Sequence, residues 1–138
     1  MRPEALEEAQ DWLRRAQRDL LAVERALSGE PVLGDQAAFH SQQAAEKAFK
    51  AFLAAHDHPF AKTHNLERLV RLCQGIDPAV IGFMEAAYTL NPYVTQFRYP
   101  GGPLEPALEE AREALRLASE VVEFVRQRLF PESSSCRS

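Results

Sequence analysis

Cysteine is scarce in this chain. Cys73 and Cys136 are the only two among 138 residues, and Cys136 sits in a serine-rich tail. That excludes a disulfide framework and favours a reduced, intracellular setting. No apolar run approaches the ~20 residues that a bilayer span needs. The opening stretch Met1 to Glu8 is too acidic and polar for a secretory leader. Valine, isoleucine and threonine are few, which disfavours sheet. Alanine, leucine, glutamate and arginine are abundant, which favours helix. No Gly-rich phosphate loop, nucleophile motif or paired-carboxylate constellation stands out, and there is no internal repeat.

What is present points to one all-α domain. A chain of this length buries roughly 68–70% of its unfolded surface, enough for a real core. The stretch from Phe39 to Leu53 lacks Gly, Pro and β-branched residues and is predicted as the central helix. Ala37, Ala44, Ala48, Ala51 and Ala55 make a smooth strip along it, while Phe39, Phe49, Phe52 and Leu53 supply bulk. His40, Gln43 and Lys47 follow i, i+3, i+7 spacing and share a third, polar face.

The flanking elements follow from punctuation and period. A first helix is expected from about Pro3 to Leu27, its seam running Leu6, Ala9, Leu13, Ala16, Leu20, Val23, Leu27. Ser28-Gly29-Glu30-Pro31 stops it, and Asp35 is placed to cap the central helix. Thr63 reads as the cap of a short helix from His64 to about Gln74, ended by Gly75. Asp77-Pro78 opens a fourth helix with Ile81, Met84 and Tyr88 inward. A last helix is expected from Leu104 to Phe130, with Leu104, Leu108, Ala111, Leu115, Ala118, Val122, Val125 and Leu129 as its seam. The two long terminal helices, with matching seams, are expected side by side. The fold is thus an up-and-down bundle of about five helices over residues 1–131, with a disordered tail at 132–138. Two unbroken seams and an Ala-rich helix also suggest a homodimer.

Charge is unevenly placed. The net charge is −4, yet all three lysines (Lys47, Lys50, Lys62) and all four histidines lie between positions 40 and 64. A locally basic window on an acidic chain points to an anionic ligand. The loop from Asn91 to Pro103 is long and aromatic and carries Arg98 beside Tyr99, able to place a guanidinium fork on phosphate. No Cys or acidic residue completes a ligand pattern with His56, His58 and His64, so no metal is expected.

Phe39-His40-x-Gln42-Gln43-Ala44-Ala45-Glu46-Lys47-Ala48, then Thr63-His64-Asn65-Leu66, then Arg98-Tyr99-Pro100 resembles the HEPN family of small helical domains, in order along nearly the whole chain. The resemblance implies a bundle of four or five helices, often dimeric, and nucleotide or RNA binding. It also implies a small nucleotidyltransferase as partner, in a toxin–antitoxin-like pair. Ribonuclease members carry an Arg followed after four to six residues by a His. Here Arg98 is followed by Tyr-Pro-Gly-Gly-Pro-Leu-Glu and by no His at all. The expectation is therefore a cytoplasmic binding module without catalytic residues or cofactor. Its ligand-binding residues would be His40, Gln43, Lys47, His64, Arg98 and Tyr99, around a nucleotide or RNA phosphate. The alternatives are a divergent metal-independent ribonuclease using Arg98 with His40 or His64, and a dimerisation module without ligand.

Overall fold

The computed structural model describes residues 1–131; the expected tail lies outside them. Five α-helices follow one another: α1 (Pro3–Ser28), α2 (Gly34–Ala55), α3 (Leu66–Gln74), α4 (Met84–Leu90) and α5 (Leu108–Leu129). Two 3₁₀ segments, Pro78–Phe83 and Asn91–Val94, flank α4. The all-α bundle expected from the sequence is what forms. No helix among the described residues is long and apolar enough to cross a membrane.

The alanine strip decides the architecture. Ala37, Ala44, Ala48, Ala51 and Ala55 are all at most 1% exposed. Small side chains let backbones approach, so α2 takes neighbours on two sides and becomes the spine. It packs along α1 on one side and α5 on the other. α1 and α5 also meet, as their matching seams predict, through Val23, Leu27, Ala111 and Leu115, but over a shorter stretch than either shares with α2. Phe49, Leu53, Leu66 and Leu69 fill the centre and are almost fully buried. Each contributes ~1.5–3 kcal/mol through burial.

Other details shift. The chain enters α5 at Leu108, not Leu104, and Leu104 is 77% exposed. Glu105 accepts a hydrogen bond from the Gly34 amide at 3.2 Å, and Pro106 is buried beside that glycine. That link holds the bent approach to α5 against the start of α2. Asp35 lies inside α2, so it is not the cap. The fourth helix starts as a 3₁₀ turn, whose period of three rotates the inward face. Val80, Ala86, Ala87 and Leu90 are therefore buried, while Ile81 and Tyr88 point outward. Asn65, not Thr63, caps α3, accepting from the Arg68 amide at 3.2 Å. The Asn91 side chain accepts from the Leu66 amide at 2.8 Å. Two of the end amides of α3 are thus already satisfied from within the bundle.

Candidate functional site

The polar residues of α2 are held by two buried carboxylates. Asp19 sits in the inward line of α1 between Ala16 and Val23. Its Oδ1 lies 2.8 Å from His40 Nδ1, and its Oδ2 accepts from Lys47 Nζ at 2.6 Å. Burial alone pushes the Asp19 carboxyl up, but the hydrogen bonds from His40 and Lys47, and the charge of Lys47, outweigh it and hold it below the usual carboxylate range. One carboxylate thereby fixes two candidate ligand groups and pins α2 to α1.

Glu46 does the same further along α2. Its Oε1 lies 2.9 Å from His64 Nδ1 and its Oε2 accepts from Lys50 Nζ at 2.9 Å. Lys50 is itself 5.6 Å from the Trp12 ring centre, a cation–π arrangement across to α1. Gln42 donates to the His64 carbonyl at 3.1 Å, and Gln43 donates to the Gln42 side-chain oxygen at 2.7 Å. The Gln42-Gln43-Ala44-Ala45-Glu46-Lys47 block is therefore a fastening. It ties α2 to α1 through Lys47 and to the segment before α3 through Glu46 and Gln42. The local excess of lysine is largely cancelled inside the bundle by Asp19 and Glu46.

Arg98 is placed differently. Its guanidinium stacks 4.4 Å above the Phe39 ring centre, and its one hydrogen bond runs 3.5 Å to the Val94 carbonyl. No carboxylate lies within ion-pair distance of it among the described residues, although Asp35 lines the same cavity of about 100 Å³. The loop that carries it is anchored by Tyr93, whose buried hydroxyl donates to Glu110 at 2.6 Å. Burial, and then this hydrogen bond to Glu110, push the Tyr93 phenol well above its ordinary range. Phe97 stacks on Tyr93 and adopts φ 70°, a left-handed conformation that costs a non-glycine residue of order 1–3 kcal/mol. Gly101 turns the loop at φ 101°, which glycine accepts without a Cβ clash. Tyr99 stands 69% exposed beside Arg98.

The six expected ligand residues are not gathered round one point: His40 and Lys47 meet at Asp19, Arg98 lies over Phe39 with Tyr99 next to it in the chain, and His64 meets Glu46. His40, Gln43 and Lys47 share a stripe with Gln36. Arg98 and Tyr99 belong to the end marked by Phe39, and His64 to the end marked by Glu46. Those ends lie roughly 10 Å apart along the helix. Sequence reasoning misses Asp19 and Glu46 as organisers. The available signal for Asp19 is a lone acid within the apolar spacing of α1, one position before Leu20.

A small all-α bundle with a buried, polar-striped central helix between two long amphipathic helices is a recognisable class. The HEPN domain model matches residues 9–128, and the chain belongs to the HEPN family. Two solved structures share the fold. TT1696 from Thermus thermophilus is 29% identical, with a TM-score of 0.71, covering 87% of this chain and 97% of that one. ST0689, an archaeal HEPN homologue, is 28% identical, with a TM-score of 0.69, covering 88% and 98%. No curated protein matches the chain.

Proposed function

We propose that this HEPN protein binds the phosphate of a nucleotide or RNA along the outer side of α2, without cleaving it. In this reading it is a cytoplasmic homodimer and the partner of a small nucleotidyltransferase in a toxin–antitoxin-like pair. The observation that carries the binding claim is Arg98. A guanidinium stacked on Phe39 and lacking a carboxylate partner among the described residues is oriented and ready for a phosphate fork. His40 and Lys47 stand further along the helix, both oriented by Asp19 before any ligand arrives, so a ligand reaching all three groups would span about 12 Å along α2. Gln43 continues the stripe, Tyr99 offers a face for a base, and His64 closes the far end. The missing His after Arg98 argues against the family's ribonuclease chemistry.

One observation favours a second reading. With Nδ1 engaged by Asp19, His40 keeps Nε2 for another partner, the arrangement of an oriented general acid or base. A divergent ribonuclease would use it with Arg98. Incubation of the pure protein with structured RNA separates the two. The binding module retards intact RNA in a gel; Arg98-dependent fragments would overturn it in favour of the enzyme.

A further inference from the structure

A groove runs between the C-terminal half of α1 and the N-terminal half of α2, on the solvent side of their hairpin. It has a volume of about 400 Å³. Arg18 and Arg25 stand along its α1 edge, two helical turns or about 10.5 Å apart. Leu21 lies between them and Leu33 faces it from the start of α2, 41% and 47% exposed. Gln36 and His40 complete the α2 edge.

Three features define what fits. The groove is cationic without compensation. Arg14 and Arg15 are both paired with Asp11, whereas Arg18 and Arg25 have no ion-pair partner among the described residues, and no acid lines the groove. The nearest carboxylate, Asp19, is turned inward onto His40 and Lys47. The floor is aliphatic. No Phe, Tyr or Trp lines it, while two half-exposed leucines with Ala22 and Ala26 between the helices offer a seat for aliphatic side chains. The shape is the furrow between two packed antiparallel helices, where a third helix lays its ridge.

We propose that this groove docks an acidic amphipathic helix of a partner protein. Its leucines or isoleucines, three or four residues apart, would enter between Leu21 and Leu33. Its carboxylates, seven residues apart, would meet Arg18 and Arg25. A second copy of this chain fits poorly. A two-fold axis through the groove would set the Arg18 and Arg25 pair of one copy against the same pair of the other, like charge against like. The site rests on residues other than Arg98 and stands independently of the phosphate reading, although His40 borders both.

The test uses a labelled 18-residue helical peptide of Glu, Ala and Leu with that spacing, followed by fluorescence anisotropy against the full chain. A control peptide carries Lys for every Glu. The expected result is saturable binding of the acidic peptide, weakened at least tenfold by Arg18→Glu with Arg25→Glu, and likewise by Leu21→Ser with Leu33→Ser. The Lys peptide should bind the charge-reversed variant and not the parent, a reversal that misfolding cannot produce. Should that variant fail to fold, Arg25→Gln alone should weaken the acidic peptide about threefold. The proposal is overturned if the parent does not bind the acidic peptide at ~0.5 mM. It is also overturned if a single-stranded RNA depends on Arg18 and Arg25 while Leu21→Ser with Leu33→Ser changes neither ligand.

Discussion

Replacing Asp19 by alanine should destabilise the bundle more than any comparable change at a surface acid. The Asp19 side chain is 9% exposed and accepts from two partners, Lys47 at 24% and His40 at 30% exposure. Breaking a fully buried pair costs ~3–5 kcal/mol, because the remaining charge is left without compensation. Lys47 and His40 keep some access to water, which screens part of that loss and brings the expected cost to ~1.5–3 kcal/mol. With an unfolding entropy of about 2.1 cal/mol/K per residue, the melting temperature should fall by about 5–10 °C. Calorimetry on Asp19→Ala, Lys47→Ala and the double variant checks this. The double variant should cost clearly less than the sum of the singles, because Asp19 no longer has Lys47 to lose. The pH dependence has a definite sign. The folded carboxyl lies below its ordinary value, so its contribution is complete above about pH 4 and fades as pH falls through the lower, folded value. The penalty of Asp19→Ala should shrink correspondingly in acid. A variant that melts within about 1 °C of the parent, or costs that add to within about 0.5 kcal/mol, would refute the role given to this carboxylate.

Three further outcomes follow from burial and surface. Leu53→Ala, at the fully buried centre of the bundle, should cost ~3–4 kcal/mol in urea unfolding; a cost under about 1 kcal/mol would contradict the spine assignment. The Cys73 thiol, buried and pushed up to about 12 by burial, should resist a thiol reagent at pH 8 until the protein is denatured. Fast native-state labelling at Cys73, distinguished from Cys136 by peptide mapping, would show that the core opens there. Sedimentation at about 50 µM should show a dimer rather than a monomer, and a monomer alone would remove the homodimer from the proposal.

Much of this fold can be read from spacing alone. The alanine strip of α2 predicts a helix that others approach closely, and it is buried over its length. The seam expected for α1 is nearly the one that forms. Ala9, Leu13, Ala16 and Val23 face inward, but Asp19 and Ala26 are buried where Leu20 and Leu27 are only partly so. A heptad cannot tell a seam from its neighbour one position away, and the line that forms takes in Asp19, whose carboxylate pairs with Lys47. The start of α5 is hidden because Leu104 and Leu108 match the helical period. A contact with Gly34, far away in sequence, holds the chain out of the helix there. The inward face of α4 is misread because a 3₁₀ entry changes the period before the α-helix begins. At the candidate site, the cations are legible as residue types, but their acidic partners are not. Glu46 shares a helix with Lys50, yet its hold on His64 depends on how the chain folds back before α3. Arg98 gives no local sign that Phe39 is its support.

In the proposed function Arg98 and Lys47 bind phosphate without cleavage. The most direct test is an equilibrium titration of the parent, Arg98→Ala and Lys47→Ala with a labelled single-stranded RNA and with a nucleoside triphosphate, followed by a check that the RNA is intact. The parent should bind at least one of these ligands saturably. Each substitution should weaken that binding by ~1.5–3 kcal/mol, the scale of a charged hydrogen bond, with the RNA uncut throughout. Absence of binding to either ligand, or affinities unchanged in both variants, would contradict the proposed function.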